Sequence, residues 1–289
     1  APSLQQKNFS NTLTSFSNGE LVQSLIARNG SAIAKSAGIP DLKEEKSLNA
    51  SVGFSYKPIK GLTVTLDGYM VKMKDRVVLS GLFPSSAIPG VDPNVVSTVQ
   101  FFTNAVNTTN MGLDIVIDYT KTIGKNKFSV LFAGNIQDMK LDAVHVPAVL
   151  NDNELDRKTF YSDREIAFLK ASAPKQKFSL NIDYNRRKLG AGVHFNYWGK
   201  VRLLGFGDST AQNPNYSGIN PEVPSDNDPD ILVPEHFNYN AKITTDVYVS
   251  YRFAKQVTFF IGCDNVFNIH PNLGVNQQAK GYAADNESG

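Results

Sequence analysis

Eight short stretches of this 289-residue chain alternate apolar and polar side chains, and the connections between them alternate between very short and very long. In a strand successive side chains point to opposite faces, so such stretches separate an apolar phase from a wet one. Residues 177–185 show it plainly: Phe178, Leu180, Ile182 and Tyr184 oppose Lys177, Ser179, Asn181, Asp183 and Asn185. The other seven are residues 48–57, 62–69, 113–119, 128–137, 189–198, 242–253 and 257–264, and the second blurs past Met70. Roughly 9–11 tilted residues cross a bilayer core, and most of these stretches reach that length.

The connections sharpen the reading. Tight turns are expected at Pro58–Gly61, Ile123–Asn126, Arg186–Lys188 and Ala254–Gln256, while about residues 75–105, 139–174, 205–237 and 268–289 are expected to be long loops. Compact soluble domains rarely hold several structureless loops longer than roughly 12–15 residues, whereas outer-membrane barrels do so routinely. Tyr56, Tyr119, Phe128, Tyr184, Tyr251 and Phe253 flank the tight turns on the apolar face, as rings at a headgroup boundary do. A soluble β-sandwich uses the same alternation, with one face on a core and one in water. Loop asymmetry and the aromatic band favour an all-β, antiparallel transmembrane β-barrel with long extracellular loops and short periplasmic turns. The expected organisation is a loop region with short helices over 1–46, barrel strands and loops over 47–267, and a further external loop over 268–289.

Composition sets bounds only. The chain is 41% hydrophobic, large enough for a sizeable core. Its mean hydropathy is −0.24, and no run of about 18 apolar residues exists to make a transmembrane helix. A net charge of +2, from 29 Lys and Arg against 27 Asp and Glu, gives no electrostatic case for nucleic acid. The only cysteine, Cys263, excludes an internal disulfide and reads as a small buried hydrophobe. The opening residues Ala1–Gln6 are not a signal peptide. Both ends fall in long external connections, so the chain is expected to be a fragment of about eight strands from a larger barrel.

Four segments carry a resemblance. Gly38–Asn49 is similar to a lead-in with a leucine, lysines and glutamates before serine and asparagine; Lys72–Leu79 to a charged-then-apolar strand top. Asn107–Asp114 resembles an asparagine, glycine, aliphatic, acidic strand, and Asp264–Asn268 an asparagine, aliphatic, phenylalanine, asparagine signature before a last external loop. In this order and spacing they resemble the C-terminal barrel of a TonB-dependent outer-membrane receptor of Bacteroidetes type. The plug domain, the TonB-contacting box and the closing strand of that family have no counterpart in these residues. Such receptors are similar to plugged barrels of about 22 strands. The resemblance implies location in the outer membrane, contact with its lipid bilayer, and contact with the TonB complex through the plug. A surface lipoprotein is a further partner it allows. The implied function is a wall segment for energised uptake of a scarce nutrient such as a siderophore or oligosaccharide; the alternative is a plug-less porin or barrel adhesin.

An enzyme is disfavoured: no nucleophile elbow, phosphate loop or metal-ligand spacing occurs, and Asp114 and Asp118 sit about 13 Å apart on one strand face. His145, His194, His236 and His270 are scattered. Candidate substrate contacts are His194, Asn196 and Trp198 on one strand face, with Asn215, Tyr216 and Tyr239 in a loop rich in amides and rings. A hydrogen-bonded wall and an ordinary surface loop are the structural alternatives. Asp226, Asp228 and Asp230 take positions 1, 3 and 5 of a calcium-type loop. Ile231 and Phe237 stand where glycine and glutamate belong, so no cofactor is expected and calcium is the sole metal candidate. Two short helices are expected: one over Gly19–Arg28, and one starting at the capping box Ser162–Glu165 and stopping before Pro174.

Overall fold

The computed structural model describes residues 2–17, 20–151, 154–205, 222–224, 228, 230–234 and 236–271. Two short helices, α1 (Leu4–Asn8) and α2 (Ala32–Ser36), flank a hairpin of β1 (Asn11–Ser17) and β2 (Glu20–Ala27). Then come β3 (Lys46–Tyr56), β4 (Leu62–Leu79), the short β5 (Phe83–Pro84), β6 (Thr98–Ile123) and β7 (Asn126–Val144). Helices α3 (Glu154–Phe160) and α4 (Asp163–Ala171) precede β8 (Gln176–Arg186) and β9 (Leu189–Trp198). An outer region of β10 (Val201–Leu204), β11 (Glu222–Pro224), β12 (Leu232–Pro234) and β13 (His236–Tyr239) leads to β14 (Lys242–Arg252) and β15 (Thr258–Cys263).

All eight alternating stretches are strands, and they pair in chain order as one antiparallel meander, β3-β4-β6-β7-β8-β9-β14-β15. The four short connections are turns, and three of them use left-handed backbone: Gly61, Gly124 and Arg187 have φ of 87°, 59° and 53°. No helix among the described residues is long and apolar enough to cross a membrane, which says nothing of strands. The sheet is open, with β3 and β15 as unpaired edges.

Directly opposed residues share a face, so the register turns eight local alternations into two continuous surfaces. One rung runs Phe54, Leu66, Ile115, Gly134, Phe178, Tyr197, Ile243. Another runs Leu62, Tyr119, Val130, Ile182, Val193, Val247, Cys263. The opposite face holds Asp67, Asp114, Asn135, Lys177, Trp198 and Lys242 in one rung. A one-residue slip in any pair would put these charges among the aliphatics. Cys263, expected to be buried, is exposed instead, because it lies on the apolar face of an edge strand.

The buried core is not in this sheet. It lies beyond the outer end of the strands, where Ala27, Ala34, Ile39, Phe83, Ile88, Val99, Phe101, Val106, Leu150, Phe160 and Tyr161 pack together. Here the expected loops are corrected. Residues 75–105 and 139–174 are largely structured, because β4 runs on to Leu79, β6 starts at Thr98 and β7 continues to Val144. The blurring past Met70 has a local cause: Asp75 adopts φ 55°, and the β4–β6 register shifts between Met73 and Arg76. The helix expected over Gly19–Arg28 is replaced by a strand, since β2 pairs antiparallel with β1 and parallel with β6 through Ala27 opposite Phe101. Tertiary pairing overrides a helical pattern of apolar residues. The second helix is present as α4, where Ser162 donates to Glu165 rather than capping the backbone. Its Ile166 and Leu169 pack on the outer core.

Candidate functional site

His194, Asn196 and Trp198 alternate along β9, and pairing with β8 and β14 surrounds each with polar partners. Asn196 Nδ2 donates to Asp246 Oδ2 at 3.2 Å, and the Asn265 backbone N–H donates to the same carboxylate at 2.8 Å. His194 Nε2 is 3.6 Å from Asp183 Oδ1, and its ring lies 5.6 Å from that of Tyr248. Tyr248 donates to Asp183 Oδ1 at 2.6 Å across the intervening strand. That reach depends on Gly192, directly opposite both Tyr248 and Asp183, where a Cβ would overlap the tyrosine ring and the carboxylate. Tyr69 crosses Gly112 in the same manner and accepts from Asn135, which also donates to Asp114 at 2.7 Å.

Towards the outer end, Lys177 Nζ sits 4.0 Å above the centroid of Trp198, and Lys242 is directly opposite Trp198 on the neighbouring strand β14. Beyond this rung the chain turns through Gly199 into β10, which pairs with β13 so that Val201 faces Tyr239 and Arg202 faces Asn238. Helix α4 lies alongside β10, and between them opens a cavity of about 860 Å³. Its walls include Lys170, Lys175, Lys200 and Arg202. Lys175 pairs with Asp138 at 2.5 Å.

The sequence-based candidates thus divide. His194, Asn196 and Trp198 share a wall, and Tyr239 lines the cavity just outside it. Asn215, Tyr216 and Asp226 lie outside the described residues. Asp228 Oδ1 accepts from the Asp230 backbone N–H at 3.2 Å, and no acidic, histidine and cysteine group able to hold a metal occurs among the described residues. Asp183, Tyr248 and Asp246 were missed because their meeting needs three strands in register. Lys170, Lys200 and Arg202 were missed because no motif links α4 to β10.

Tyr161 is buried in the outer core, and burial together with the Glu165 carboxylate pushes its hydroxyl up to about 12. On α3, the hydrogen bond from Lys158 holds the Glu154 carboxyl below its ordinary range.

The family described as TonB dependent receptor-like, beta-barrel matches residues 1–266. The chain belongs to that family. Comparison with curated proteins finds no match. Among solved structures, the outer membrane transporter YddB from Escherichia coli is similar at 15% identity and a TM-score of 0.51, over 81% of this chain and 31% of that one. The pyoverdine outer membrane receptor FpvA from Pseudomonas aeruginosa, bound to pyoverdine, gives 14%, 0.50, 82% and 28%. The chain therefore spans less than a third of these structures, and at such identity the likeness is one of fold. As part of a TonB-dependent receptor barrel, the sheet belongs to the outer membrane. The apolar rungs meet lipid, the turns at Gly61, Gly124 and Arg187 are periplasmic, and the packed layer with the α4–β10 cavity is extracellular.

Proposed function

We propose that this barrel segment forms part of the wall of a receptor that captures a scarce nutrient outside the cell and admits it by TonB-energised movement of a plug. The observation that carries the reading is the two-phase sheet continued by a folded extracellular layer. A passive hole needs only a wall. Here β4, β6 and β7 run past the membrane-spanning rungs into an outer core built around Phe101 and Phe160, which holds α4 and the neighbouring strands in place. The lumenal face is polar, and its Asp183, Asp114 and Asp246 carboxylates are engaged by amides and a phenol. The family consists of receptors and transporters. Cargo of siderophore, cobalamin or glycan type fits such a wall, and a surface lipoprotein is the partner to seek by co-purification.

The test is genetic. Loss of the receptor should slow growth on one limiting nutrient from a panel of siderophore-bound iron, cobalamin and glycans, and loss of TonB should abolish that difference. A growth defect that persists unchanged in cells lacking TonB contradicts the proposal. Steady conductance of the purified receptor in a planar bilayer would favour the porin reading.

A further inference from the structure

Resting on the reading above as a capture receptor, we infer that the cavity between α4 and β10 is a binding site for a small, multiply charged oxyanion, a ligand bearing carboxylate or phosphate groups. The cavity, at about 860 Å³, falls in the range of small-molecule sites. Its charge is one-sided. Lys170, Lys200 and Arg202 line it, and among the described residues none of the three makes a salt bridge; Lys175 pairs with Asp138, whose carboxylate also lies in the field of Lys170. Asp163 is the single carboxylate of the lining. Concave walls of one charge concentrate their field, so an anion is drawn in and a neutral solute is not.

The cations sit on different elements facing one space: Lys170 on α4, Arg202 on β10, and Lys200 in the turn between β9 and β10. A ligand charged at two or more points is needed to satisfy them together. Arg202 offers a planar fork that matches carboxylate or phosphate oxygens, and the opposed Asn238 brings an amide donor to the same strand pair. The site continues inward without changing sign, because Lys177 and Lys242 flank Trp198 at the outer end of the lumenal wall. Acidic groups come further along the wall, at Asp246 on β14 and Asp183 on β8, and at Asp67 and Asp114 on β4 and β6. An anion held at the cavity mouth therefore has the basic, ring-bearing rung of Lys177, Trp198 and Lys242 beside it at the head of the lumenal wall.

The test is equilibrium titration calorimetry on the full receptor in detergent at low salt, with citrate, inorganic pyrophosphate and the neutral sugar raffinose as probes. Citrate binding alone identifies a carboxylate site, and pyrophosphate binding alone a phosphate site; either supports the inference. Raffinose should give no heat. The double variant Lys200→Glu with Arg202→Glu should weaken anion binding at least about ten-fold, and Lys255→Glu in a periplasmic turn should not. If the charge reversal impairs folding, as judged by loss of heat-modifiable migration, Lys200→Gln with Arg202→Gln replaces it. The inference is overturned if neither anion binds, if raffinose binds as well as they do, or if folded variants keep their affinity. Because TonB plays no part in this measurement, its failure leaves the growth phenotype of the uptake reading intact.

Discussion

At the scale of residues, the lumenal wall is governed by what each position lacks. Gly192 has no side chain, and Tyr248 occupies that space to reach Asp183. Gly192→Val should therefore expel the tyrosine ring and cost about 1–3 kcal/mol through overpacking. Tyr248→Phe removes only the 2.6 Å hydrogen bond and should cost about 1.5–3 kcal/mol, since the acceptor is charged. Gly68, on the lipid face of β4, provides the contrast, because the nearest atom to a Cβ there is the Val52 carbonyl oxygen at 3.8 Å. Gly68→Ala should be neutral. Urea-induced unfolding of the receptor in vesicles, followed by heat-modifiable migration, ranks the three; equal loss at Gly68 and Gly192 would contradict the assignment of faces. The faces also differ in tolerance of charge. Leu180→Arg or Val193→Arg puts a guanidinium among lipid tails, at about 2–4 kcal/mol near mid-bilayer, whereas Lys177→Ala on the lumenal side should be mild.

At the scale of elements, the extracellular layer is a packed extension of β4, β6 and β7. Ser80 is fully buried and stitches β4 to β6, donating its backbone N–H to the Phe101 carbonyl and accepting from the Phe101 N–H through its hydroxyl. Phe101→Ala should cost about 3–5 kcal/mol of that layer's stability and expose the outer connections to protease on intact cells, while the membrane strands stay assembled. A layer cleaved no faster than the unaltered one would show that the packing is not cooperative. The layer also predicts a pH limit. The Tyr161 hydroxyl is raised from 10.0 to about 12, so burial favours its neutral form. That contribution to stability is fully present below about pH 10 and is lost as pH rises from there through about 12. Ultraviolet titration of the tyrosinate band should lose one late-titrating group in Tyr161→Phe. This layer is also where sequence reading stopped working. Strand faces and turns were legible because period two and Gly61 or Gly124 are local signals. The pairing of β2 with β6 and the burial of Phe83 against Phe160 at 6.4 Å join segments far apart in the chain, and no local pattern encodes them. The same holds for the site: Trp198 was visible on its strand, but the cations around the cavity come from separate connections.

At the scale of the whole molecule, the account requires the meander to be one wall of a closed barrel whose apolar side touches lipid. Long-range register makes this a strong statement, because one slip between any two neighbours would reverse a whole strand. The most direct measurement is site-directed spin labelling of the receptor in lipid vesicles, after replacing Cys263 with serine, along consecutive residues of β8 and β9. Labels at positions 180, 182 and 193 should collide readily with oxygen and rarely with a water-soluble nickel chelate, and labels at 179, 181 and 194 should do the reverse. An alternation of the opposite phase, or none at all, would contradict the account.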